Sequence, residues 1–164
     1  MRLDTKSSST RTFVIIPAVV LAECALAHRR VRRRWAPLMV WGYLQYLLSG
    51  RYRTQRGGGG PGMSKPPTRL VTTGIYGATR NPMYLGHLLF LSGLLAATRS
   101  PVALGALVQG AARFHLRIQR DEKRLEELFG DEYHTYAANV PRYVSAASFT
   151  RVAHGCDCGE CREV

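Results

Sequence analysis

Two apolar runs, residues 83–98 and 101–116, are separated only by Arg99 and Ser100, and Pro101 opens the second. A connection that short forces two helices to run antiparallel as neighbours. Arg80, just ahead of the first run, and Arg117, just after the second, therefore emerge on the same side. The polar stretches around 70–86 and 117–142 are brought together at the open end of this greasy hairpin. Both stretches are rich in the Gly and Pro residues that set backbone shape. A site at a membrane face follows, where a water-soluble reagent can meet a lipid-borne one.

The remaining chain adds two more apolar blocks, 12–27 and 35–49, within 164 residues, enough for one domain. The first is short for a bilayer, which needs about 20 apolar residues, and Glu23 is its one acidic or basic side chain before His28. The net charge of +12 admits nucleic acid, anionic lipid or an acidic substrate as partner. Arginines here flank apolar blocks, as they do at the cytoplasmic ends of membrane helices. They do not line periodic polar faces, so a membrane is expected and nucleic acid is not. The expected fold is all-α: a polytopic integral membrane helix bundle of about four apolar helices plus a cytoplasmic C-terminal helical segment. Its parts are a disordered N-terminus (1–11), one membrane domain (12–150) and a Cys-rich tail (151–164). Topology carries a conflict. If both early blocks span, the five arginines of 29–34 lie opposite the basic loop 51–80, although the positive-inside tendency draws both to the cytoplasm. Either one early block is interfacial or the rule fails once.

Several features read in two ways. Gly57 to Gly60 lack the strand and following helix of a nucleotide-binding turn and read as a flexible linker in a 51–69 loop. Arg80 with Pro82 reads as a membrane anchor beside a helix start. Asp121 and Glu122, beside Lys123 and Arg124, read as a solvated helix face or as a polar wall. His87 on its apolar run reads as a packed histidine. Gly130 is a helix stop, with a further short helix expected over 131–136. Three of the four cysteines crowd the last nine residues, which argues against a secreted disulfide scaffold. His154, Cys156, Cys158 and Cys161 are weak zinc-ligand candidates; an unstructured, redox-reactive tail is the alternative.

Three motifs then fall in order. Leu70-Val71 with Gly74 and Tyr76 comes first, and Arg80-Asn81-Pro82-Met83-Tyr84-Leu85-Gly86 follows. Beyond the hairpin come Asp121-Glu122, Leu125, Phe129-Gly130, Tyr133, Tyr136 and Val140-Pro141-Arg142. Together they resemble the isoprenylcysteine carboxyl methyltransferase family, close kin of the membrane phospholipid methyltransferases. The resemblance covers roughly residues 66–142. It implies an integral membrane enzyme that uses S-adenosylmethionine to methylate a lipid or lipophilic small molecule, with its active site on the cytoplasmic face of the cell membrane. It also implies a cofactor-binding set of Leu70, Val71, Tyr76, Asn81, Pro82, Met83, Tyr84 and Asp121. Arg117 falls at a substrate-side position. Asn81 stands where the family often has His. Asp121 is one methylene shorter than the family's first glutamate, so Glu122 is expected to share or take its role. Arg142, with Arg117, is suited to an anionic substrate group. No metal and no covalent intermediate is required for methyl transfer, which depends on alignment and water exclusion. A carboxylate acceptor is already ionised near pH 7. An amine acceptor has to lose a proton, and no side chain stands out in the sequence as its base. A non-catalytic membrane scaffold and a membrane-bound NADPH-dependent reductase are the competing functions.

Overall fold

The computed structural model describes residues 7–60 and 65–143, and among these the fold is all-helical. Helix α1 covers Ser8–Leu26, α2 covers Ala36–Gly57, α3 is the single turn Ile75–Ala78, α4 covers Pro82–Thr98 and α5 covers Pro101–Asn139. The Cys-rich tail, with His154, Cys156, Cys158 and Cys161, lies outside the described residues.

Helix α4 is the centre of the bundle, with more than half of its residues buried and contacts to α1, α2 and α5. Its tightest neighbour is α2. A Cβ on Gly42 would lie 2.5 Å from the Phe90 backbone nitrogen, and one on Gly86 would lie 2.7 Å from the Gly42 carbonyl oxygen. Glycine on both helices is what lets the backbones approach, the usual device where packing rather than water drives association. Gln45 crosses the same interface, donating to the Pro82 carbonyl at 3.3 Å.

The hairpin forms as expected. Arg99 takes the left-handed conformation at φ 50°, and the Ser100 hydroxyl caps α5 by accepting from Val102 and Ala103 N–H at 3.1 and 3.2 Å. The α1–α2 connection packs under this turn: the Arg32 N–H donates to the Ala97 carbonyl at 2.8 Å and the Arg29 guanidinium to the Arg99 carbonyl at 3.1 Å. The arginine run thus sits at the opposite end of the bundle from Arg80. Glu23 is paired there with Arg29 at 3.4 Å.

Two expectations change. The N-terminus is helical from Ser8, inside the stretch expected to be disordered, because its hydroxyls find tertiary partners. Ser9 donates to the Tyr46 hydroxyl at 2.6 Å, and Ser8 accepts from Arg117 at 3.1 Å. The first apolar block thereby grows to 19 residues, long enough by length and composition to cross a membrane, and is wound as a π-helix over Arg11–Ile15. Helix α2 also outruns its apolar block, ending only at Gly57. The glycines after it are a built turn rather than a loose linker: Gly58 and Gly59 take positive φ, and the Gly57 carbonyl accepts from Thr68 and Arg69 N–H. That turn docks the strand-like 65–71 stretch onto the end of α2.

Gly130, at φ 48° and ψ −120°, breaks α5 and begins the short final helix anticipated there. Side chains from both sides of the break, Leu125, Phe129, Tyr133, Tyr136 and Val140, cluster with Leu70. Because backbone lies on both sides of the α2–α4 contact, Gly86→Val should destabilise the bundle by about 3 kcal/mol. Thermal unfolding in detergent is the measurement, and Gly105→Val, where a side chain meets open space, is the control expected to change little.

Candidate functional site

The segment between α2 and α4 is held from both sides. Gly74, at φ 61°, packs so closely on Tyr52 that a Cβ would lie 2.6 Å from its hydroxyl. This turn starts α3 and buries Tyr76, whose hydroxyl faces the Ser49 carbonyl at 3.4 Å. Burial pushes the Tyr76 hydroxyl up to about 12, so it stays a proton donor through the physiological range. From the other side, Tyr136 donates to the Tyr76 carbonyl at 2.7 Å, and burial likewise raises its hydroxyl above the ordinary tyrosine range.

Asn81 precedes α4 without capping it. Its amide instead donates to Glu122 Oε1 at 3.1 Å and to the Arg142 carbonyl at 3.2 Å. Glu122, buried on α5, receives Arg142 on Oε2 at 2.7 and 2.9 Å, with Arg80 3.8 Å from Oε1. The bond to Glu122 keeps Arg142 firmly charged by raising its titration. Arg80 also donates to the Tyr133 hydroxyl at 3.2 Å, and the Arg80 N–H to the Pro141 carbonyl at 3.0 Å. One carboxylate thus ties the loop before α4 to the chain after Gly130.

Beside this lock lies a cavity of about 410 Å³, within the range of roughly 300–1,000 Å³ typical of small-molecule sites. Leu70, Val71, Tyr76, Asn81, Pro82, Met83, Tyr84 and Asp121 all line it, and so does Arg117. Glu122 and Arg142 do not: their charges are spent on each other and on Asn81 behind the wall. The Tyr84 hydroxyl donates to Asp121 Oδ2 at 2.6 Å, which aims the shorter carboxylate. Arg53, Arg69 and Arg80 bring positive charge to the same wall, and Arg80 Nε is buried with no partner among the described residues. Sequence reasoning missed these arginines as site residues, and missed Tyr46, His87 and Ser7 to Ser9. The basic run near Arg53 was a usable signal. The serines carried none, since only the docking of α1 brings them to the cavity mouth.

Residues 55–132 match the family model described as phospholipid methyltransferase. The chain carries a phospholipid methyltransferase domain. The matched stretch runs from the end of α2 across the hairpin to just past Gly130. It includes every cavity residue that the resemblance selected. No curated protein and no solved structure matches the chain. Among the described residues of the methyltransferase, no cluster of three or more His, Cys, Asp or Glu is arranged to hold a metal.

The charge separation on the wall suits a zwitterion: Asp121 for an ammonium, the arginines for a carboxylate, and aromatic and aliphatic groups between. Glu122→Ala should lower the stability of the methyltransferase by about 2 kcal/mol, because it strands the buried Arg80 and Asn81 donors together. Arg142→Ala should cost less, about 1 kcal/mol, since that side chain is 40 % exposed. Chemical denaturation in detergent compares the two.

Proposed function

We propose that the protein is a polytopic membrane enzyme that methylates a lipid or lipophilic acceptor with S-adenosylmethionine, in the manner of the isoprenylcysteine carboxyl methyltransferases it resembles. The observation that carries this reading is the convergence of the eight cofactor positions on one cavity, although they come from a loop, two helices and opposite sides of the hairpin. The cavity's size and its paired charges fit the cofactor, and the unpartnered Arg80 Nε offers a donor to its carboxylate.

Membrane insertion is supported by exposure as well as composition. A core helix of a soluble protein is mostly buried, whereas α1 is apolar and only 17 % buried. Val40, Trp41, Leu44 and Leu48 on α2, with Val102, Leu104 and Val108 on α5, are exposed too. At 1.5 Å per residue, α4 is about 26 Å long and α5 about 58 Å, against a hydrocarbon core of about 30 Å. The second half of α5 then projects beyond the bilayer at the site end. That end carries Arg117, Arg120, Lys123 and Arg124 besides the arginines of α2, which favours a cytoplasmic site despite the opposing arginine run.

When bound, S-adenosylmethionine supplies a methyl group on a sulfonium for in-line displacement. Asp121, aimed by Tyr84, would hold the ammonium of the cofactor. Arg80 and Arg69 would hold its carboxylate, and Tyr76 with Leu70 and Val71 would enclose the adenine. The Glu122 lock keeps these groups in register, so alignment is built before the acceptor arrives. Arg117 and the α1 serines stand on the acceptor's side of the cavity, with bilayer flanking them.

Equilibrium binding of S-adenosylhomocysteine to detergent-solubilised protein tests the reading. Binding in the micromolar range is expected, weakened about tenfold or more by Asp121→Asn, the loss of one charge-assisted hydrogen bond. Absence of binding at millimolar ligand would favour a scaffold, and preference for NADPH would favour a reductase.

A further inference from the structure

His87 is unused by the roles above, yet it shares the cavity wall with Tyr46, Tyr84 and Arg117. Its ring is 3 % exposed. Nδ1 lies 2.9 Å from the Met83 carbonyl oxygen, one turn earlier on α4. A carbonyl only accepts, so Nδ1 carries the hydrogen and the neutral ring keeps its lone pair on Nε2. That nitrogen is buried without a hydrogen-bond partner among the described residues. An acceptor left unpaired in an interior costs about 1–3 kcal/mol, and a phenylalanine would fill the same space without that cost.

The surroundings narrow what the lone pair is for. Rings from three other helices pack on the imidazole: Phe13 of α1 at 4.8 Å, Tyr46 of α2 at 4.7 Å and Phe114 of α5 at 4.9 Å between centroids. Aromatic faces attract cations, and a lone pair needs an N–H or O–H donor. An ammonium satisfies both. A carboxylate acceptor satisfies neither.

Resting on the methyltransferase reading, we infer that His87 Nε2 is the base that deprotonates an amine headgroup, which makes the acceptor an amine-bearing lipid. The ammonium N–H bond breaks, its electron pair stays on nitrogen, and the proton moves to Nε2. The freed pair forms the new N–C bond as the methyl–sulfur bond breaks and its pair returns to sulfur. The product is a methylammonium, and the imidazolium gives its proton to water when the site opens. Tyr46 from α2, Tyr84 on the same helix, and Arg117 with Asp121 from α5 are the titratable or charged groups facing this ring, Asp121 acting through Tyr84. Helix α1 contributes only the uncharged Phe13.

The test uses membranes containing the full-length protein, labelled S-adenosylmethionine, and vesicles of phosphatidylethanolamine or vesicles doped with a long-chain fatty acid. Label should enter the amine lipid. His87→Asn keeps an N–H for the Met83 carbonyl but has no Nε2. It should bind S-adenosylhomocysteine within about twofold of the parent while kcat at pH 7 falls about 100-fold. The deficit should shrink as pH rises, because solvent then supplies the neutral amine. His87→Ala with added imidazole is the second variant, and return of activity is expected. The inference is overturned if His87→Asn keeps kcat within about threefold across the pH range. It is equally overturned if label enters only the fatty acid, or if imidazole restores nothing to a His87→Ala protein that binds S-adenosylhomocysteine. Failure of the parent protein itself to bind that ligand would instead remove the methyltransferase reading.

Discussion

The Glu122 carboxylate is the joint on which the site end of the molecule turns. It is buried between a loop and a helix that are 41 residues apart, and it holds Asn81, Arg80 and Arg142 at once. Taking a carboxylate out of water is costly unless every lone pair is met, and here both oxygens are met by charged or amide donors. The consequence is geometric. The backbone around Asn81 is pinned to α5 at one place, so Tyr84 and Asp121 face each other across the cavity at hydrogen-bonding distance. Without that joint the two halves of the wall would be free to part.

Two adjacent acids have separate duties. Asp121 points to the cavity and is steered by a tyrosine hydroxyl, whereas Glu122, 100° further round the helix, is absorbed by arginine and asparagine behind it. The expectation that Glu122 shares the ligand role is therefore met by a different placement, and the same holds for Arg142. The shorter side chain lies at the wall and the longer one reaches into the lock.

Much of the site was legible from the chain. The Arg99-Ser100-Pro101 break fixed an antiparallel hairpin because no longer path exists between the two runs, and the hairpin dictated that the flanking motifs meet. Gly130 read correctly as a break because its backbone conformation is closed to other residues. What stayed hidden depended on distant partners. The helical turn at Ser8 exists because Tyr46 and Arg117 receive its hydroxyls. The glycine turn after α2 has shape because Thr68 and Arg69 donate back to Gly57. His87 looked like a packed core residue, and only the direction of its Nδ1 bond reveals a lone pair left over.

By itself, the sequence determined the helical class, the hairpin, and the family to which residues 55–132 belong, since periodicity, short connections and local motifs are properties of neighbouring residues. The tertiary structure decided which polar side chain faces the cavity and which is consumed by a partner. That choice rests on contacts between segments dozens of residues apart, and a difference of one position on a helix is enough to reverse it.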